Sequence, residues 1–267
     1  MSNTLLPRLH LFEWEDQSFF PHEIRNALTK YLFMVWTVGR FYKSTLPVLQ
    51  DVLRSTTHKN IYDLCSGGGG AWSHIVQRIQ KTHPDISIQL SDYYPNIEAF
   101  ERLAQQSEGA IHFNPTSVDA RSVEFPKGSI VTLLLALHHF EPSDVRKILS
   151  NATQQKTPIV IFEIQQRTVF DMLIMLTHIP ICWLVMPFMN PSWTQLLFTY
   201  VLPIIPLCIV WDGIVSALRT YTPTELQGFA KEVDTEDSFI WKSGSSTHPI
   251  HNLTYFVGTP KDTASPL

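Results

Sequence analysis

The sequence is poor in cysteine and in charge. Its 267 residues include only three cysteines, Cys65, Cys182 and Cys208. They form no CxxC pair and no Cys/His spacing that suits zinc, so no metal is expected. Each sits in an apolar or glycine-rich run, as a small buried thiol does, and an odd count suits a reducing compartment. Asp, Glu, Lys and Arg make up 16% of the chain, against about 25% in an ordinary globular domain. That excludes a disordered or heavily solvated tail protein. A basic excess is also missing, with a net charge of −4. Without a Lys/Arg stripe to track a phosphate backbone, nucleic acid is not an expected partner. The N-terminus lacks a basic region followed by an apolar run, so it does not read as a signal peptide. What the chain has in quantity is apolar: 44% hydrophobic residues, with 16 Phe and 7 Trp, ample for a full core.

Order along the chain is legible from periodicity. After an irregular, aromatic start, apolar residues recur at three- and four-residue spacing through Ile24, Leu28, Tyr31, Leu32 and Val35. That predicts one or two amphipathic helices, with Gly39 and Pro47 as breaks. Short apolar segments then alternate with polar helical ones. Strands are expected at residues 61–64, 86–90, within 111–120, 130–137 and 159–163, and helices at 71–81, 95–106 and 142–153. A last helix at 223–232 and two strands at 239–241 and 253–257 close the chain. Strands alternating with helices indicate crossover units and a mostly parallel sheet.

The strongest local signal is Ile61-Tyr62-Asp63-Leu64-Cys65-Ser66-Gly67-Gly68-Gly69-Gly70. A strand entering glycines and then a helix lets the backbone approach a ligand closely. The dinucleotide spacing GxGxxG fails, because Trp72 or Ser73 occupies the third glycine position. A pyrophosphate would also be repelled by Asp63 at the strand end. A ligand carrying a sulfonium and an ammonium would be attracted there instead. DLCSGGG resembles the first motif of class I S-adenosylmethionine-dependent methyltransferases. The resemblance covers residues 55–168 well and 212–258 more loosely. It implies a Rossmann-like, doubly wound, seven-stranded sheet with S-adenosylmethionine as cofactor.

Within that resemblance, Asp63, Cys65, Gly67 and Gly69 line the methionine part of the cofactor. Asp92, 23 positions after Gly69, sits where a carboxylate accepts two ribose hydroxyls. Asp119 sits where an acid meets the adenine amino group, and Leu137 lines the cofactor. Leu137-His138-His139 matches a segment found at this place in many small-molecule methyltransferases. His138 or His139 then either orients or deprotonates the nucleophile, or fixes the loop by hydrogen bonds. Glu163, just past the fifth strand, falls at the ligand end of the sheet, where it is expected to face the acceptor.

From Met172 to Trp211 the chain runs 40 residues without Asp, Glu, Lys or Arg. Two spans of about 20 residues would fit that length. The strands on either side belong to one sheet, so the chain must leave and return on the same side of a bilayer. Asn190-Pro191-Ser192-Trp193 supplies a turn, giving an apolar helical hairpin with arms at 172–189 and 196–210. Its five prolines and its Trp183, Trp193, Tyr200 and Trp211 suit a hairpin dipping into one leaflet. A hydrophobic lid over a greasy pocket, or an oligomer interface, is the soluble alternative. Asp212 and Arg219, two helical turns apart, and Tyr221 follow. They read either as a pocket mouth facing the acceptor or as an anchoring cluster.

The domain expectation is an N-terminal helical lid (1–55), a cofactor-binding core (56–168), the apolar hairpin (169–211) and the C-terminal part of the core (212–267). The function expected is methyl transfer to a small, lipophilic or membrane-derived acceptor, on the cytoplasmic side of a membrane or in the cytoplasm. The rivals are an NAD(P)-dependent oxidoreductase and a non-catalytic membrane-anchored protein that kept the fold.

Overall fold

A computed structural model of the chain describes residues 6–246 and 253–262. Its helices are α1 (His22–Gly39), α2 (Tyr42–Ser55), α3 (Trp72–Gln80), α4 (Ile97–Gln106), α5 (Pro142–Gln154), α6 (Val169–Val185), α7 (Trp193–Leu196), α8 (Ile204–Arg219) and α9 (Pro223–Val233). Its strands are β1 (Asn60–Leu64), β2 (Ser87–Leu90), β3 (Ile111–Phe113), β4 (Ser129–Leu134), β5 (Ile159–Glu163), β6 (Phe239–Ser246) and β7 (Leu253–Pro260). The chain divides into two compact units. One holds the described residues up to Gly39 together with Gln165–Thr220, and the other holds Arg40–Ile164 with the described residues from Tyr221 onward. This division places α2 with the sheet and Asp212–Thr220 with the helices.

The second unit is a seven-stranded sheet in the order β3-β2-β1-β4-β5-β7-β6. The first five strands are parallel, and β7 runs antiparallel between β5 and β6. β4 and β5 are paired on both sides and covered on both faces, which is why they read as nearly continuous apolar runs. Strand order reverses between β1 and β4, and open sheets of this kind bind ligands beyond the strand ends at that point. One face is sealed by Val145, Ile148 and Leu149 of α5 and by Leu226 and Ala230 of α9, packed on Leu64, Val131, Leu133, Ile161 and Phe256. Thr222 and Glu225 form a reciprocal capping box at the start of α9, and Pro223 fills its first position.

Several boundaries differ from the sequence expectation. β4 stops at Leu134, because Leu135 takes a left-handed φ of 57° and the chain turns into a 3-10 turn, Leu137–His139. The apolar run continues past the strand because Leu137 is buried as core rather than paired as sheet. β6 extends through the polar Lys242–Ser246 because each of these residues pairs with β7. Pro47 lies inside α2 and does not end it. It forfeits one backbone donor, and burial of Leu49, Val52 and Leu53 carries the helix on.

The helical unit packs α1, α6 and α8 around Ile24, Ala27, Leu28, Tyr31, Cys182, Met186, Ile205 and Cys208. The first arm of the hairpin is continuous, with Val169–Met189 forming 21 residues of helix. The second arm is not the single helix expected over 196–210. It breaks at Leu202-Pro203 and bends by 76°. The bend follows from Pro203 and Pro206, which cannot donate to the preceding turn. Trp183 Nε1 donates to the Thr199 carbonyl at 3.0 Å, so the π-helical turn before the break gains a partner from the first arm.

Candidate active site

The tips of β1, β2 and β4 meet around one buried carboxylate. Asp63 is 1% exposed. Thr132 Oγ1 donates to its Oδ1 at 2.6 Å and Ser66 Oγ to its Oδ2 at 2.7 Å. Ser91 ties β2 to the same point, donating from its hydroxyl to the Asp63 carbonyl at 2.7 Å. Burial pushes the Asp63 carboxyl up to about 6, against the pull of the Ser66 and Thr132 hydroxyls, and Asp92 adds to the rise. Asp63 is therefore the internal post of the loop as well as its acidic end.

Beyond the strand, Cys65 adopts a left-handed φ of 56°, and Gly67 and Gly69 follow at 54° and 65°. The two glycines serve different ends. A Cβ on Gly69 would lie 2.6 Å from Leu103 Cδ1 and 2.9 Å from Leu90 Cδ1, so this glycine lets α4 and β2 close on the loop. A Cβ on Gly67 would meet nothing within 4 Å. Gly67 thus faces open space, which suits a ligand brought against the backbone.

Asp92 reaches that backbone. Its Oδ2 accepts from Gly67 N at 2.8 Å and its Oδ1 from Tyr94 N at 2.8 Å. Each oxygen keeps a further lone pair, so the carboxylate can still accept two hydroxyls. Asp119 is held by Arg121, whose Nε and Nη2 donate to Oδ1 and Oδ2 at 2.8 and 2.6 Å. These hydrogen bonds hold the Asp119 carboxyl below its ordinary value. The Cys65 thiol records the joint effect of the acids. Its ionisation is opposed first by burial and then by Asp92, Asp63 and Asp119. The loop is an electronegative setting in which the thiol stays protonated. A pyrophosphate would be repelled by it, and a sulfonium or ammonium attracted.

At the next strand ends, His138 and Glu163 form a buried pair. Glu163 accepts the His138 backbone N–H on Oε1 at 3.0 Å and lies 2.9 Å from His138 Nδ1 through Oε2. The carboxylate thereby fixes the ring and favours the tautomer with its proton on Nδ1, leaving Nε2 as the acceptor. His139 is exposed, its ring 4.3 Å from that of His138 between centroids. Glu163, expected to face the acceptor, orients the histidine. Leu137 packs into the sheet core. Tyr221 does not fit a place at the pocket mouth: its ring is buried in the same core and its hydroxyl donates to the Phe140 carbonyl at 2.7 Å.

Asp212 and Arg219 belong to the helical unit, and their bonds there are internal. Asp212 accepts the backbone N–H groups of Trp14 and Glu15 at 2.8 and 3.1 Å. Arg219 donates to the Leu11 carbonyl and pairs with Glu13 and Asp16 at 3.1 and 2.9 Å. Ser216, between them on the same face of α8, donates to Glu13. Of the two readings of this stripe, the anchoring one describes these contacts: it straps the N-terminal segment onto α8.

Sequence reasoning passed over Thr132, Ser66, Arg121 and the His138–Glu163 pairing. Thr132 carried a signal, being the one polar residue inside the apolar run Ile130-Val131-Thr132-Leu133-Leu134. The His138–Glu163 pairing needed the strand register, whereas Ser66 and Arg121 bond acids only three and two positions away.

No family model matches the chain, and no curated protein sequence matches it. Solved structures share its fold. Human N-acetylserotonin methyltransferase, in complex with S-adenosylmethionine, superposes with a TM-score of 0.52 at 14% identity, over 89% of this chain and 55% of that one. An O-methyltransferase family protein from Burkholderia thailandensis gives 0.51 at 14% identity, over 90% and 60%. The plantazolicin methyltransferase BpumL, in complex with S-adenosylhomocysteine, gives 0.55 at 12% identity, over 93% of each chain. The chain thus spans less than two thirds of the first two proteins and nearly all of the third. The sheet is that of the S-adenosylmethionine-dependent methyltransferase fold.

Proposed function

We propose that the protein is an S-adenosylmethionine-dependent methyltransferase acting on a small, lipophilic acceptor drawn from a membrane. One observation carries the reading. Asp63, Asp92 and Asp119 surround a left-handed glycine loop whose Gly67 opens onto free space. That is a site for a cationic nucleoside. Gly67 and Gly69 would admit its methionine part, Asp92 its ribose and Asp119 its adenine.

When bound, the cofactor supplies a methyl group already activated on sulfonium, to be taken by an O, N, S or C nucleophile. The protein's part is to place the acceptor, exclude water and receive a proton where the nucleophile carries one. His138 is the residue equipped for the last task. Glu163 holds its Nδ1 side, so Nε2 can accept the acceptor's proton and the resulting imidazolium is stabilised by the carboxylate. The apolar segment 172–211 would attach the protein to the cytoplasmic side of a membrane and bring the acceptor within reach.

The test has two stages. Thermal shift with S-adenosylhomocysteine should stabilise the protein and NAD(H) should not; the reverse result overturns the assignment in favour of a nicotinamide enzyme. Transfer of labelled methyl into a lipid extract should then follow. Absence of any product at saturating cofactor would favour a non-catalytic module. Glu163→Gln should leave S-adenosylhomocysteine affinity unchanged and slow transfer at least about tenfold, since general-base contributions run to about a hundredfold or more.

A further inference from the structure

α6 is apolar apart from Asp171, Thr177 and His178, and its two faces differ in what covers them. Asp171, Met175, Cys182 and Met186 share the covered face. Across this face Tyr31 of α1 bonds His178 at 2.8 Å. The opposite face carries Phe170, Leu173, Leu176 and Leu184, continued by Phe188 on the 3-10 turn Met186–Met189, all exposed, with Leu184 at 72% and Phe188 at 84%. This bare stripe follows the helix for its whole length and contains no charge. An apolar patch of this extent on a folded unit marks an interaction surface.

Three features decide what covers it. First, α1 packs along the hairpin through Ile24, Ala27, Leu28 and Tyr31. It carries Glu23 and Lys30, both exposed, so a hairpin crossing a bilayer would draw these charges into hydrocarbon. Second, the turn of the hairpin is tied to the first turn of α1: Gln195 Nε2 donates to the Glu23 carbonyl at 3.0 Å and Ser192 Oγ to the Glu23 carboxylate at 3.2 Å. A hairpin tip bearing a carboxylate is not buried at a bilayer midplane. Third, exposed apolar side chains extend from α6 to Trp193, Val201 and Leu207 on elements bent 76° from one another. A protein partner would need a shape matched to that ragged surface; fluid acyl chains conform to it.

We infer that the helical unit lies in the plane of one leaflet, with the bare stripe of α6 against the acyl chains and the outer face of α1 in water, and that it does not cross the bilayer. The inference deepens the membrane attachment proposed above and rests on that attachment, not on the catalytic assignment. Penetration would be about 5–10 Å, as for other interfacial helices. Because the stripe is uncharged, neutral lipid suffices and salt should not release the protein.

Depth measurement on the full chain tests this. A genetically encoded fluorescent amino acid is placed singly at Leu173, Leu184 or Lys30, and quenching is read with brominated lipids in dioleoylphosphatidylcholine vesicles. Leu173 and Leu184 should report the same shallow depth, and Lys30 no quenching. A helix that crosses would separate the first two positions by about 16 Å of depth, and that result overturns the inference. Absence of quenching at all three positions also overturns it, pointing to a protein partner or a second copy. Leu184→Asp should lower the vesicle-bound fraction at least about tenfold while S-adenosylhomocysteine binding in free solution is unchanged. The solution binding reads the cofactor site without vesicles, so failure there would indict the catalytic reading alone.

Discussion

Asp63 offers the most direct test of the cofactor site, because its burial links ligand binding to pH. Its carboxyl is raised from 3.8 to about 6, chiefly by burial. In the unliganded protein the unfolded state gives up this proton at 3.8 while the folded state keeps it to about 6. This group therefore lowers stability as pH rises through that window and leaves it constant above. At about 1.4 kcal/mol per unit, ionised Asp63 costs the fold about 3 kcal/mol. A cation bound beside the carboxylate recovers much of that cost by drawing the carboxyl back toward its ordinary value. Affinity for S-adenosylhomocysteine, whose ammonium is cationic throughout, should rise with pH from 4 to about 6, by up to about a hundredfold, and then level off. Asp119, held ionised by Arg121, contributes no comparable slope over the upper part of this range. Titration calorimetry in buffers of different ionisation enthalpy would show a proton released on binding near pH 5. In Asp63→Asn the proton release should vanish. That variant also leaves either Ser66 or Thr132 short of an acceptor, a loss of about 1 kcal/mol. An affinity that is flat between pH 4 and 6, or a proton release that survives Asp63→Asn, would refute the reasoning.

The two glycines should part company on substitution. Gly69→Ala places a Cβ within 3 Å of Leu103 and Leu90 at a left-handed φ and should cost about 1–3 kcal/mol in denaturant unfolding. Gly67→Val puts its Cβ where no atom lies within 4 Å and should lower stability by about 1 kcal/mol through its φ, yet abolish S-adenosylhomocysteine binding; the opposite pattern would show that the open side of the loop is not the ligand side. Arg219→Ala would remove the buried cation that faces the Glu13 carboxylate and should destabilise the protein by about 3–5 kcal/mol, whereas a change under about 1 kcal/mol would remove the strap from the account. Tyr221→Phe deletes the bond to the Phe140 carbonyl and should cost about 1 kcal/mol while slowing methyl transfer more than it weakens cofactor binding.

The sheet was readable because its information is local. Residues 61–70 announce a strand, a tight turn and a helix in that order, and the apolar runs at 130–134 and 159–163 are long enough to mark strands buried on both faces. Acids at fixed distances behind the glycines then suggested the loop's charge. What the sequence could not supply was pairing across strands. Asp63 and Thr132 are 69 positions apart, and His138 and Glu163 25 apart. Only the parallel register of β1 with β4 and of β4 with β5 sets each pair side by side. The stripe on α8 shows the same limit in reverse. Helical spacing put Asp212 and Arg219 on one face, but nothing local told whether that face met an acceptor or the residues at 11–16. The prolines of the hairpin announced distortion without saying which would break a helix. Pro47 and Pro180 are carried within helices, while Pro203 lies at a 76° bend.

The position of the insertion separates the proposed cofactor loop from the turn proposed to meet the acceptor. The chain leaves the sheet just after Glu163 and rejoins it at Tyr221. Both junction residues are bonded to one short turn: Glu163 holds His138, and Tyr221 holds the carbonyl of Phe140. The turn between them, Leu137–His139, carries the histidine proposed to receive the acceptor's proton. The glycine loop and its acids, by contrast, are fixed from within the sheet, through Ser66, Ser91 and Thr132. The proposed cofactor loop is therefore held by bonds that do not involve the junctions, whereas the ring of His138 is held by one of them, Glu163. Replacing or removing 165–220 should accordingly leave S-adenosylhomocysteine affinity less affected than turnover, because the strain of a new connection falls on the His138 turn before it reaches the loop.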